Sequence, residues 1–167
     1  MQVRRAVLDD AAAIAEVHTR SWQGAYEHVF GAERLAAIDV NGRRAMWERS
    51  LERGVRDVHV AVDGGGAVVG FVGTGPSRDP DAAGELGEIY VLPEALGTGV
   101  GHALMAAAIE AMEARGYADA ILWVLDDNPR ARAFYEREGW APDGAAKTDE
   151  FLGVPVTEVR YRRKLGK

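Results

Sequence analysis

Val91-Leu92-Pro93-Glu94-Ala95-Leu96-Gly97-Thr98-Gly99-Val100-Gly101-His102-Ala103-Leu104 carries the chain out of an apolar strand, through three glycines that alternate with other residues, and into a helix. Glycine lacks the Cβ that would hold a backbone away from a ligand, so such a run lets consecutive N–H groups turn towards one anion. The following helix adds the positive end of its dipole at the same place. The stretch therefore predicts a phosphate cradle over residues 97 to 102. Two familiar phosphate motifs do not fit it. The dinucleotide fingerprint G-x-G-x-x-G would need glycine where His102 or Leu104 stands, and the P-loop would need Lys followed by Ser or Thr.

Working outwards, residues 85 to 92 read as the strand that feeds the turn. Residues 99 to 115 read as an amphipathic helix, with Val100, Leu104, Ala107 and Ala111 inward and His102, Glu110 and Glu113 outward. Residues 120 to 125 are apolar throughout and read as a buried strand. Asn128-Pro129 is a helix start, with an Asx cap and Pro at the first helical position, and Gly139 is its stop. Residues 150 to 164 read as a closing antiparallel hairpin whose basic end, Arg160, Arg162, Arg163 and Lys164, forms a solvated edge.

On the N-terminal side, residues 3 to 7 are β-prone, and Asp9-Asp10 is placed to cap a helix over residues 11 to 26. Trp22 and Tyr26, four residues apart on that helix, share one side. They fit core packing and also the aromatic wall of an acceptor pocket. Short helices are predicted over 32 to 39 and 43 to 51. A hairpin follows from 58–62 and 67–73 around a glycine turn, and then a surface loop over 75 to 84.

The 167 residues suffice for a single domain spanning 1–167, and 47% apolar with 28% charged residues is ordinary globular composition. No run of about 18 apolar residues offers a membrane span. The N-terminus leads into acidic residues rather than an apolar leader, which predicts a cytoplasmic protein. There is no cysteine, so disulfides and thiolate chemistry are excluded within the chain. A net charge of −6 argues against nucleic acid as a partner and is compatible with an amine substrate. His18, His28, His59 and His102 are scattered without ligand spacing, which predicts a reaction without metal.

The strand, Pro and G-x-G-x-G turn resemble the pyrophosphate loop of the GCN5-related N-acetyltransferase (GNAT) family, R/Q-x-x-G-x-G/A. Gly99 and Gly101 match its last fixed positions, and Leu96 stands where the family usually has Arg or Gln. A second motif lies downstream. Asn128 to Trp140, NPRARAFYEREGW, resembles the family's N-x-x-A-x-x-F-Y-E-x-x-G-F, with Trp for the last Phe. The resemblance covers essentially the whole chain, more loosely over the first 50 or so residues. It implies a mixed α/β (α+β) fold, with a central, mostly antiparallel sheet splayed at the cofactor site and flanked by helices.

The resemblance also implies a function, an acetyl-CoA-dependent N-acetyltransferase that passes acetyl directly to a primary amine in a ternary complex. The acceptor would be a small-molecule or peptide amine, and a homodimer is left open. Acetyl-CoA would lie on the main chain of Ile89, Tyr90 and Val91 and on the loop of Leu96, Gly97, Thr98, Gly99, Val100, Gly101 and His102. Asn128 would bind the pantetheine amides or simply cap its helix. The alternative is a catalytically silent acyl-CoA-binding or sensor module on the same fold.

An alkylamine with a pKa near 10 is only about 0.1% neutral at pH 7, so a base that removes its proton is useful. Glu85, six residues before Val91, stands where histone-acetylating members of the family place their base, and Glu88 is the second candidate. In a regular strand the two face opposite sides, so only one addresses the cleft unless a bulge intervenes. Tyr135 is the candidate acid at the departing sulfur. Its neighbour Phe134, about 100° round the helix, reads as core.

Overall fold

The computed structural model describes residues 1–166. One seven-stranded sheet runs in the order β1-β2-β3-β4-β5-β7-β6, with β1 Gln2–Arg5, β2 Asp57–Val62, β3 Val68–Pro76, β4 Gly84–Val91, β5 Asp119–Leu125, β6 Ala141–Phe151 and β7 Val154–Lys164. Every neighbouring pair is antiparallel except β4 and β5, which are parallel. Those two pair only at Gly84 with Ala120 and Glu85 with Ile121, and then separate. The predicted architecture is the observed one, with the sheet opened between β4 and β5.

Helices cover both faces. On one, α5 (Val100–Ala114) buries Val100, Leu104, Met105, Ala108 and Met112 against Val72, Leu86 and Leu122. The inward stripe was expected at Ala107 and Ala111. It is rotated towards Met105, Ala108 and Met112, because the two methionines take the core with Ala108 beneath them, and Ala107 and Ala111 fall on its flank. Each such burial stabilises by about 1.5–3 kcal/mol. On the other face, α1 (Ala11–Ala25) and α4 (Val40–Arg53) pack Ile14, Val17 and Trp47 against Val58, Val60 and Phe71. A third cluster of Trp22, Tyr26, Phe30, Leu35, Leu125 and Val156 closes this face beyond the end of β5.

Several local expectations change. The helix predicted to reach Tyr26 ends at Ala25, and a further turn, α2 (Glu27–Phe30), precedes α3 (Ala32–Ala36). Asp10 does not cap α1. Its carboxylate instead accepts from the Val7 amide at 2.8 Å and from Arg4, and that guanidinium holds its carboxyl below the usual range. β3 runs on to Pro76, so the exposed loop is shorter than predicted.

The basic end of β7 is not a solvated edge, because β7 lies inside the sheet between β5 and β6. Arg160 reaches Asp79, Asp81 and Asp143, while Arg162 reaches Asp81, Asp119 and Asp143. Carboxylates from three separate parts of the chain thus pin the loop before β4 and the start of β6 to β7. Among the described residues, no helix is long and apolar enough to cross a membrane.

Candidate active site

β4 leaves the sheet through a 3-10 turn at Pro93–Ala95 and enters α5 through Leu96, Gly97, Thr98 and Gly99. Gly97 and Gly99 have φ of 76° and 88°, in the left-handed region that a Cβ would strain. Gly101 has ordinary φ, but a Cβ there would come within 3.2 Å of the Phe134 ring. Phe134 is therefore the lid of the helix's first turn as well as a core residue. The amides on either side of the loop are paired, Leu96 to the Pro93 carbonyl and Ala103 to the Gly99 carbonyl. Between them, the six amides from Gly97 to His102 donate to no acceptor among the described residues. Unpaired N–H groups at a helix start are free to receive an anion. Leu96 is an exposed side chain at the rim.

The cradle opens onto the gap between β4 and β5. The Leu92 amide bonds the Val69 carbonyl, so by antiparallel alternation Tyr90 spends its main-chain groups on β3, while Ile89 and Val91 turn theirs to the gap. One of these is already used, since the Val91 carbonyl accepts from Ser21 Oγ at 3.1 Å. Tyr90 instead offers its side chain to the α1 side, stacked on His18 with 5.2 Å between ring centroids. On the far wall, Asn128 caps α6 (Pro129–Arg137) by accepting from the Ala131 amide at 3.1 Å. Its Nδ2 donates to the Tyr26 hydroxyl at 3.1 Å, so the cap also ties α6 to the end of α1.

Tyr135, on α6, is buried, and its hydroxyl lies within the electrostatic reach of Tyr26 and Tyr90. Burial first, and the Tyr26 oxygen second, push the Tyr135 phenol above its ordinary value, so it keeps its proton at neutral pH. Trp22 and Tyr26 meet edge to face at 5.2 Å, and Trp22 stacks on Phe30 at 5.5 Å. The Trp22 indole N–H is buried without an acceptor of good geometry, although it lies close enough to Tyr90 to favour ionisation of that phenol.

Glu85 and Glu88 lie on one face. Gly73 pairs with Glu88 and Thr74 with Leu86, so Gly87 bulges out of the ladder. Beyond it Gly75 pairs with Glu85, and the β3 partners Phe71, Gly73 and Gly75 alternate regularly. Tyr90, Glu88 and Glu85 therefore share the α1 side. Both carboxylates are already engaged. Buried Glu85 accepts from the Arg78 amide at 3.0 Å and its guanidinium at 2.7 Å, and Glu88 accepts from Arg56 at 2.6 Å.

A third carboxylate here had not been anticipated. Glu158 on β7 is buried, pairs across the sheet with Leu125, and lies near Tyr26 and Glu85. Its nearest cation is Lys147, with Nζ at 4.0 Å. Burial pushes its carboxyl above the ordinary value. Alternation along β7 was a readable signal, but which face it indicated depended on pairing with β5.

A fold of this topology, an amide cradle beside a splayed parallel pair, and carboxylates and tyrosines on the open side define an acyltransferase site. The family model for the acetyltransferase (GNAT) family matches residues 12–140, and the chain belongs to that family as an N-acetyltransferase. It is 33% identical over 160 residues to the uncharacterized N-acetyltransferase YuaI of Bacillus subtilis, covering 94% of this chain and 89% of that one. Among solved structures, a ribosomal-protein-alanine N-acetyltransferase from Brucella melitensis superposes with a TM-score of 0.77 at 24% identity, over 99% of this chain and all of that one. An N-acetyltransferase from Thermoplasma acidophilum in complex with coenzyme A superposes at 0.73 and 19% identity, over 98% of each chain.

Proposed function

We propose that this enzyme transfers acetyl from acetyl-CoA directly to a primary amine, with both substrates bound together. The observation that carries this is the run of six unpaired amides from Gly97 to His102 beside the β4–β5 gap. Pyrophosphate takes the cradle, and the pantetheine arm enters the gap along Ile89 and Val91. The thioester then arrives near Tyr135. Trp22 and Tyr26 wall the acceptor side.

The neutral amine attacks the thioester carbonyl, the tetrahedral adduct expels the thiolate, and the amine's proton leaves to a carboxylate. Tyr135, protonated and buried, donates to the sulfur. Of the three carboxylates, Glu85 and Glu88 are held by arginines at 2.7 and 2.6 Å, whereas buried Glu158 has only Lys147 in ion-pair range, at 4.0 Å. A carboxyl raised by burial is a stronger base once ionised, so Glu158 is the better proton acceptor, with Glu85 next to it as relay. The acceptor amine belongs to a small molecule or a peptide.

Calorimetric titration with acetyl-CoA, followed by free-thiol release with a panel of primary amines, tests the reading. Binding together with amine-dependent release is expected. Binding with no release for any amine would leave a silent acyl-CoA-binding module.

A further inference from the structure

Arg43, in the first turn of α4, leans over the Trp22 ring with its guanidinium carbon 4.9 Å from the centroid. Its one polar contact is a long one, 3.5 Å to Thr19 Oγ1. Every other partly buried arginine among the described residues meets a carboxylate, carbonyl or phenol oxygen. Arg4 has Asp10, Arg20 has Glu94, Arg56 has Glu88, and Arg163 has the Glu138 carbonyl. Arg132 bonds Tyr161, and Arg160 and Arg162 share the aspartates.

A half-buried guanidinium has lost water and is stabilised when an anion replaces it. Arg43 has lost water and gained none, and burial lowers its basicity, whereas arginines with carboxylate partners such as Arg4 and Arg160 move the other way. Nothing nearby supplies the anion. His18 is held neutral, its value pushed down to about 3 by burial and by Arg43 itself. Trp22 and Thr19 are uncharged, and so is the nearby Tyr90 phenol, which burial holds protonated.

Tyr90 also places Arg43 relative to the chemistry. It lies near Arg43, Glu88, Tyr26 and Tyr135, and Tyr26, which meets the Trp22 ring edge to face at 5.2 Å, in turn lies near Glu158. Arg43 thus lies against Trp22 of the aromatic wall, and Glu158 lies near Tyr26 of the same wall. We infer that Arg43 binds an acidic group of the acceptor, so that the substrate is a primary amine that also carries a carboxylate. The amine faces the carboxylates and the thioester, and the acid faces Arg43. This rests on the amine-acetylation reading above and names its substrate class.

The test compares amino acids with their carboxamides and decarboxylated amines by CoA release. Wild type should prefer the acids. Arg43→Met, which keeps a stem on Trp22, should raise KM for the acids by roughly 10- to 100-fold, the worth of a charge-assisted contact. It should leave the neutral amines and acetyl-CoA affinity unchanged, and Arg43→Lys should restore part of the loss. Equal rates on acids and amides, or an Arg43→Met loss shared by both, would overturn the anchor. If no amine releases CoA, the transfer reading fails, and the anchor is then decided by calorimetry. It stands if amino acids bind the CoA-loaded wild type and lose affinity in Arg43→Met, and falls if they do not.

Discussion

Glu85 and Glu88 face the same side of the sheet although they are three positions apart, because Gly87 bulges out of the β3–β4 ladder. With Glu158 from β7, they gather three carboxylates at the mouth of the gap where β4 and β5 part. The division of labour among them makes the first prediction.

Glu158→Gln should lower the acetylation rate by ten-fold or more near neutral pH, where little free amine exists, and the deficit should shrink as pH approaches the amine's own pKa. Its effect on stability should run the other way. A carboxyl whose folded value is raised binds its proton more tightly in the folded state, so its ionisation opposes folding as pH rises past the unfolded value. The variant should therefore melt higher than wild type at pH 8 and no higher at pH 4. A pH–rate profile parallel to wild type, with the converging profile in Glu85→Gln, would move the base to Glu85.

Tyr135→Phe should lower kcat by roughly 10- to 100-fold while leaving acetyl-CoA affinity unchanged, with a deficit that persists across the alkaline range until the phenol ionises. Its melting temperature should scarcely change, because the hydroxyl has no hydrogen-bond partner among the described residues. A large fall in melting temperature would show that the residue acts through packing.

The glycines of the cradle should separate by mechanism. Gly99→Ala places a Cβ in open space but at φ 88°, costing about 1–2 kcal/mol and turning the amides away from pyrophosphate. Gly101→Val pushes against Phe134. Both should weaken acetyl-CoA by an order of magnitude or more in calorimetry, and only Gly101→Val should also displace Phe134, read as a change in its ring NMR signals.

Asp57 is buried and bridges Arg5 at 2.9 Å and Arg115 at 3.0 Å. Burial raises its carboxyl, but the two guanidinium groups outweigh burial and the net shift is downward. Its stabilising contribution is thus present above the unfolded value near 3.9 and lost as pH falls through the lower folded value. Asp57→Asn should cost about 1–3 kcal/mol at pH 7, discounted for arginines that are half exposed, and close to nothing at pH 2. Melting curves across that range check the sign.

The parts of the site legible in the sequence are local ones. A glycine turn before a helix, an Asn-Pro cap and an apolar strand each carry their geometry in a few adjacent residues, and the glycine turn, α6 and β5 stand where they were read. What was hidden depends on partners distant in sequence. The Gly87 bulge exists only in the register with β3, and Glu158 faces the site only because β7 pairs with β5. Arg160 and Arg162 looked solvated because their aspartates lie at positions 79, 81, 119 and 143. Arg43 is singular only once every other half-buried arginine is seen to have found a carboxylate, carbonyl or phenol oxygen.

The central claim is direct transfer from acetyl-CoA to an amine held against the carboxylates. Rapid-quench mass spectrometry with isotopically labelled acetyl-CoA and an acceptor amine reads both the product and the intact protein. The account predicts label in the amide product with the protein unmodified at every time point. Label first appearing on the protein, or acetyl-CoA bound with no label reaching any amine, would contradict it.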